Sequence, residues 1–126
     1  MSYIDGFILP LKDEQLDQYR TMAETFARKA AEHGAIGSAE SLGDGLEHGH
    51  TTDFYRAVQA QEGENVVFSF IVWPSKEVRD AAWEKIMADP EMQPGAQPMP
   101  FDGKRMFWGG FKPFVSTLKT LEAEHA

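Results

Sequence analysis

The sequence predicts an α+β fold in which two helices cover one face of an antiparallel sheet. Several short stretches alternate apolar and polar residues with the period of a strand, and two longer stretches repeat apolar residues every three or four positions, as amphipathic helices do. The elements follow in the order strand, helix, strand, strand, strand, helix, strand. This order matches the split β-α-β arrangement of ferredoxin-like folds with one extra hairpin strand.

The first half of the chain is predicted to hold a strand, a long helix, a second strand and a loop. Residues 3–9 are β-rich, and Pro10 is expected to end the strand because proline cannot donate to a ladder. Residues 11–33 show helical spacing, and Gly34 is placed to end this helix. A second strand is expected over residues 35–42, followed by a glycine-containing loop over residues 43–53.

The second half is predicted to hold two further strands, a helix and a closing strand. Residues 54–60 alternate enough for a strand, and residues 65–73 form the strongest strand pattern in the chain. Ser75 is placed to cap a helix that continues to Asp89. The proline-rich residues 91–100 are expected to form an irregular lid or connector before a closing aromatic strand within residues 99–114.

The amino-acid composition excludes several classes of function. With 126 residues, 42% of them hydrophobic, we expect one globular domain over residues 1–126. The absence of cysteine excludes disulfides and thiolate chemistry, and it fits a cytoplasmic location. A formal net charge of −8 opposes attraction to nucleic acid, and no apolar stretch reaches the ~18 residues of a membrane helix. We therefore expect neither a nucleic-acid partner nor a membrane partner.

The closing segment mixes charged and aromatic residues where an ordinary core strand would carry no charge. Its members include Asp102, Lys104, Arg105, Phe101, Phe107 and Trp108. The first and last strands of a ferredoxin-like sheet are neighbours, so Asp5 and Arg105 are expected to lie within reach of each other as a charge-assisted pair. The alternative is a rim salt bridge worth about 0 to 1 kcal/mol, and the sequence leaves both open because strand register cannot be derived from it.

These residues predict a small-molecule pocket. Its polar groups are expected to be Asp5, Glu40 and Arg105, its walls Phe101 and Trp108, and its mouth is expected to be shaped by Asp102. No cofactor is expected, because the sequence contains no phosphate-cradling glycine loop and no metal motif. His48 and His50 with Asp53 suggest a metal site, but two loop histidines without a third ligand are usually solvated, so we predict no bound metal.

The strand over residues 65–73 is apolar on both faces, although two helices can cover only one face of the sheet. Burying aromatic side chains on the second face would contribute about 1.5 to 3 kcal/mol each. We therefore predict a homodimer in which two sheets pack face to face.

Four segments resemble the YbaA-like family of uncharacterised bacterial proteins. They are Met-Ser-Tyr-Ile-Asp-Gly-Phe at residues 1–7, Trp-Pro-Ser at 73–75, Met-Ala-Asp-Pro-Glu-Met at 87–92 and, above all, the run at 99–114 that contains Pro-Phe-Asp-Gly-Lys-Arg-Met. The resemblance covers nearly the whole chain. It implies a ferredoxin-like unit of the dimeric α/β-barrel superfamily and brings no established activity.

Three classes of function remain open from the sequence. The charged and aromatic cluster fits a protein that binds a small molecule, and it fits equally an enzyme such as a cofactor-independent oxygenase or isomerase. An RNA-associated protein would depend on the basic residues Lys104, Arg105, Lys112 and Lys119. Fold alone does not decide among them.

Overall fold

The computed structural model describes residues 2–93, 95 and 99–119, and these residues contain four strands and three α-helices. The strands are β1 (Tyr3–Lys12), β2 (Gly37–Leu42), β3 (Glu64–Trp73) and β4 (Phe107–Phe111), and the helices are α1 (Leu16–Glu32), α2 (Phe54–Ala57) and α3 (Lys76–Ala88). The strands form one open antiparallel sheet in the order β2-β3-β1-β4. The predicted α+β class is confirmed.

The register of the sheet divides its side chains into two sets. Asp5 of β1 lies opposite Ile71 of β3, whereas Ile4 lies opposite Val72. Because successive side chains of a strand point to opposite faces, Asp5 and Ile71 share one face and Ile4 and Val72 share the other. We call the face of Asp5 the helix-facing side and the face of Ile4 the open side.

Both long helices pack on the helix-facing side. One buried cluster joins β3, α1 and α3 through Ile71, Trp73, Ala30, Ala82 and Ile86. A second cluster joins β1, β3 and α1 through Leu9, Leu11, Val67 and Tyr19. These two clusters are the hydrophobic core, and they fix the position of α1 and α3 against the sheet.

The open side carries large apolar side chains on three strands. They are Ile4, Ile8, Phe68, Phe70, Phe107 and Phe111. Phe68 keeps 45% of its surface exposed and Phe111 keeps 61%. The sequence pattern of β3 is therefore confirmed, because this strand is apolar on both sides while the long helices cover one.

Strand β1 continues through Pro10, so the prediction that Pro10 ends the strand is wrong. Pro10 lies opposite Val66, whose carbonyl oxygen accepts a hydrogen bond from the Gly43 N–H on the side of β2. Pro10 and Val66 thus form a pair without mutual hydrogen bonds. On its other side, β4 pairs with β1 only as far as Ile8, so no ladder bond is lost at Pro10.

The predicted extra hairpin strand over residues 54–60 is also wrong, because this segment holds the one-turn helix α2. The Asp53 carboxylate accepts hydrogen bonds from the Arg56 N–H at 2.8 Å and the Gly49 N–H at 3.0 Å, which caps the helix. Gln59 then adopts a φ of 50°, which ends the turn, and Val58 is fully buried. The periodicity of so short a segment does not distinguish a strand from a helix, and here the Asp53 cap favours the helix.

The ends of the long helices follow local chemistry. α1 begins at Leu16 and not at residue 11, because β1 runs to Lys12 and a 3-10 turn over Asp13–Gln15 precedes the helix. Gly34 follows α1 with a φ of 114°, as predicted for a helix terminator. The predicted Ser75 cap is confirmed, since its hydroxyl accepts the Val78 N–H at 3.1 Å.

The closing strand is shorter than predicted. It is confined to β4, and a 3-10 turn over Gly103–Arg105 precedes it. The expected connector before it begins with another 3-10 turn over Pro90–Met92, and residues 94 and 96–98 of this connector lie outside the described residues. Within the described ranges, no helix is both long and apolar enough to cross a membrane.

The close contact between β4 and β1 provides a test of the strand register of the sheet. A Cβ atom placed on Gly110 of β4 would come within 2.7 Å of the Tyr3 ring. We expect Gly110→Ala to lower the free energy of unfolding by about 1 to 3 kcal/mol, the usual cost of overpacking. Gly37→Ala in the edge strand β2 is the matched control, because its Cβ would meet nothing within 4 Å. Urea unfolding measures both, and equal effects would contradict this register.

Candidate functional site

The structure distributes the six predicted site residues over four places. Asp5 is buried between β1 and the helices, and Trp108 lies 63% exposed on the helix-facing side of β4. Glu40 lines a groove between α1 and β2. Phe101, Asp102 and Arg105 line a smaller cavity beside the start of β3. The predicted residues therefore do not form one pocket around a single ion pair.

Asp5 is held in a closed network of hydrogen bonds. Its carboxylate accepts the indole N–H groups of Trp73 and Trp83, each at 2.9 Å. Arg79 of α3 donates through Nη2 at 2.7 Å and through Nε at 3.0 Å. Asp5 itself is fully buried. This network is a structural connection between β1, β3 and α3, because its donors fill the surroundings of the carboxylate.

The expected pairing of Asp5 with Arg105 is wrong, because each has another partner. Asp5 pairs with Arg79, and the hydrogen bonds that Arg79 donates to Asp5 are the first cause of the raised pKa of the Arg79 guanidinium. The Tyr3 ring lies 5.3 Å from this guanidinium and adds a cation–π contact. The sequence did contain a signal for Arg79, because it precedes Trp83 by four residues and so shares its face of α3.

Arg105 instead joins the segment before β4 to the start of β3. It binds both carboxylate oxygens of Glu64, at 2.6 and 2.8 Å, and donates through Nε to Asp102 at 3.0 Å. A fourth bond, at 3.0 Å, goes to the carbonyl oxygen of Gln59. Asp102 also caps the 3-10 turn by accepting the Lys104 N–H at 3.0 Å. The Asp-Gly-Lys-Arg run at residues 102–105 thus has a structural role: it forms a capped turn that positions the Arg105 guanidinium next to Glu64.

The smaller cavity lies beside this connection and has a volume of about 270 Å³. Besides the three predicted residues, its lining includes Lys12, Gln15 and Glu64. Phe101 also packs edge-on against Tyr19, with 5.7 Å between ring centroids. Since Arg105 is bound to two carboxylates, it contributes little free positive charge to this cavity or to the basic residues of the segment.

The larger cavity, which we call the α1–β2 groove, has a volume of about 380 Å³. One wall is α1, with Leu16, Tyr19, Arg20, Ala23, Glu24 and Ala27, and the other is β2, with residues from Ser38 to Leu42, while Val67 of β3 lies at the floor. Most of these side chains are small or apolar. The groove therefore offers an apolar surface with a few polar groups, as ligand sites usually do.

Glu40 is the β2 carboxylate of this groove. One of its oxygens accepts the hydroxyl of Tyr19, and the other accepts the hydroxyl of Ser69. Tyr19 and Ser69 are both buried, whereas Glu40 is an exposed residue, so these two bonds hold its carboxylate between α1 and the sheet while the side chain stays accessible to solvent. Sequence analysis identified Glu40 but missed its two donors, because they lie 21 and 29 residues away in the chain.

Tyr19 acts as a donor in this arrangement. Burial, first, and then the hydrogen bond to Glu40 raise the pKa of its phenol above the usual range. The phenol therefore stays protonated at neutral pH and keeps donating to the carboxylate. The chemical result is an acceptor group held by neutral hydroxyls and open to a ligand.

The loop histidines do not assemble a metal site. His48 stacks on Tyr55 with 4.7 Å between ring centroids, and its Nδ1 lies 3.8 Å from Asp53. Asp53 is occupied as the cap of α2. Within the described residues, no three His, Cys, Asp or Glu side chains are grouped so that they would hold a metal ion.

Comparisons with known proteins place the chain among relatives of unknown function. Residues 2–103 match the family model described as protein of unknown function, DUF1428. The uncharacterized protein YbaA of Escherichia coli strain K12 is 47% identical over 115 residues, which is 91% of this chain and 98% of the relative. YbaA of Shigella flexneri shows the same identity and coverage. The family resemblance of the sequence is thereby confirmed.

The contribution of the Arg105–Glu64 pair to stability should depend on pH, and this dependence tests the role of the pair. Hydrogen bonds from Arg105 are the first cause of the lowered pKa of Glu64. The stability that Glu64 contributes is therefore full above the usual glutamate pKa of about 4.3, and it is lost as the pH falls through the lower pKa of the folded state.

We expect Glu64→Gln to lower the free energy of unfolding at pH 7 by about 1 to 3 kcal/mol, because a nearly buried guanidinium loses a charged partner. The difference from the unsubstituted protein should shrink in urea unfolding repeated towards pH 3. Glu62→Gln, in the exposed turn two residues earlier, is the control and should change little. A difference that does not depend on pH would contradict the ion pair.

Proposed function

This chain belongs to the YbaA-like family, whose model is described as protein of unknown function (DUF1428), and we propose that it binds a small organic molecule in the α1–β2 groove with Glu40 as the polar anchor. The observation that carries this proposal is an accessible carboxylate that lines a largely apolar groove and is held by two hydroxyls. A volume of about 380 Å³ falls within the range of small-molecule sites, which begins at roughly 300 Å³.

The same groove supports an enzyme of the isomerase or cofactor-independent oxygenase class as the second candidate. Such chemistry needs a carboxylate that takes a proton from a bound substrate. Glu40 is an exposed residue whose carboxylate has acceptor capacity beyond its two hydroxyl donors. Turnover of a bound compound distinguishes this class from a binding protein.

We also propose that the chain is one ferredoxin-like domain of the dimeric α/β-barrel type and that it works as a cytoplasmic homodimer. The strand order β2-β3-β1-β4, with α1 and α3 on one side, supports the fold type. The exposed phenylalanines of the open side support a second copy as the cover, because burying large apolar side chains drives association. The lack of cysteine supports the cytoplasm.

The dimer is tested on the open side. We expect light scattering to give a dimer at micromolar concentration, and we expect Phe68→Asp to shift it towards monomer, since a charge would be buried in the interface. Met87→Asp is the control, because Met87 is an exposed apolar residue on α3, away from the open side. A monomeric unsubstituted protein, or equal effects of the two variants, would contradict the face-to-face dimer.

Ligand binding is tested by a thermal-shift screen of metabolites. A ligand at about 100 times its dissociation constant adds about 2.7 kcal/mol of stability. Ser38→Phe is designed to fill the α1–β2 groove and should abolish the shift produced by a hit. Thr21→Phe adds the same bulk to α1 outside the groove lining and should keep it. Hits that survive Ser38→Phe would place the site elsewhere.

A further inference from the structure

We propose that the ligand of the α1–β2 groove carries an ammonium group, with at least one N–H, that binds Glu40 beside an apolar portion that lies along α1. This inference rests on the proposed function and names the ligand class. It follows from the contrast between Glu40 and the other bonded carboxylates of the fold.

The carboxylates elsewhere that accept hydrogen bonds from side chains have cationic partners. Asp5 faces Arg79, Glu64 faces Arg105 and Asp89 faces Lys29, with shortest N–O distances of 2.7, 2.6 and 2.6 Å. Glu40 receives two neutral hydroxyls instead, and no described Lys, Arg or His forms an ion pair with it. The protein thus orients the carboxylate of Glu40 without forming an ion pair between it and a basic side chain of the described ranges.

The number of hydrogen bonds that the Glu40 carboxylate can still accept also fits an ammonium ligand. An ionised carboxylate has about four acceptor positions, and the hydroxyls of Tyr19 and Ser69 use two. A protonated amine offers donors for the remaining positions and forms charge-assisted bonds, which are about twice as strong as neutral ones. A quaternary ammonium, which has no N–H, would leave these positions unused.

The remaining charges of the groove do not reverse this preference. Arg20 and Glu24 lie one turn apart on α1 and carry opposite charges. Together with Glu40, the charged groups of the lining sum to a net negative charge, and the whole chain carries a formal charge of −8. The potential at the groove therefore favours a cation.

The apolar part of the ligand is defined by the walls. Ala23 and Ala27 have small side chains and leave a flat surface on α1, and the apolar residues Leu16, Leu42 and Val67 line the groove beside this surface. Such a surface accepts an aliphatic chain or a single ring. Metal ions are poorer candidates, because no group of three ligating side chains occurs within the described parts of the chain.

The experiment compares three probes of one shape and different charge: phenethylamine, 2-phenylethanol and phenylacetate. Backbone NMR titrations of the full chain at pH 7 give both the dissociation constants and the residues that respond. We expect phenethylamine to bind at least tenfold more tightly than the other two, with shifts centred on residues 38–42. Glu40→Gln should remove this preference, and Glu77→Gln, which removes the same charge from the exposed first turn of α3, should keep it.

Tyr19→Phe serves as a second variant, because it retains the charge of Glu40 and removes one donor. It should retain selectivity for the amine if charge carries recognition. Equal binding of alcohol and amine in the groove, or preferred binding of phenylacetate, would overturn the inference and leave the groove as a ligand site. No response of residues 38–42 to any probe would overturn the inference and count against the proposed function as well.

Discussion

The buried carboxylate of Asp5 constrains much of this fold. Removing an ionised carboxylate from water costs several kcal/mol, so the surrounding elements must supply donors in fixed positions. Trp73 of β3 and both Trp83 and Arg79 of α3 supply them. These bonds set the position of α3 over the sheet, and the apolar clusters around Ile71 then close against it.

Two further ion pairs hold peripheral segments to this centre. Arg105 binds Glu64 and so anchors the turn before β4. Lys29 of α1 binds Asp89 at 2.6 Å, at the end of α3, and this bond is the first cause of the raised pKa of Lys29. Each pair joins segments far apart in sequence. The ion pairs of Asp5, Glu64 and Asp89 therefore connect distant elements, whereas Glu40 is bonded by neutral hydroxyls and for this reason is our candidate for ligand recognition.

The two sides of the sheet serve different purposes. The helix-facing side holds the core and, where β2 and α1 diverge, leaves the groove around Glu40. The open side presents aromatic residues such as Phe68 and Phe111 and supports association with a second copy. Because Glu40 and Phe68 lie on opposite sides of the sheet, the proposed ligand site and the proposed dimer interface are separate surfaces.

The amino-acid sequence alone predicted the α+β class, the helix cap at Ser75 and the two apolar sides of β3. It also located the four strands of the sheet, together with a fifth strand over residues 54–60 that proved to be the helix α2. These features depend on periodicity and on residues close together in the chain, so local patterns predict them. It also named Glu40 as a candidate binding residue, which stays a prediction. The pairing of Asp5 with Arg79 and of Arg105 with Glu64 is visible in the folded structure alone, because these partners are 74 and 41 residues apart in the chain. Such contacts depend on strand register and helix placement, which the sum of many distant packing contacts fixes and no short stretch of sequence encodes.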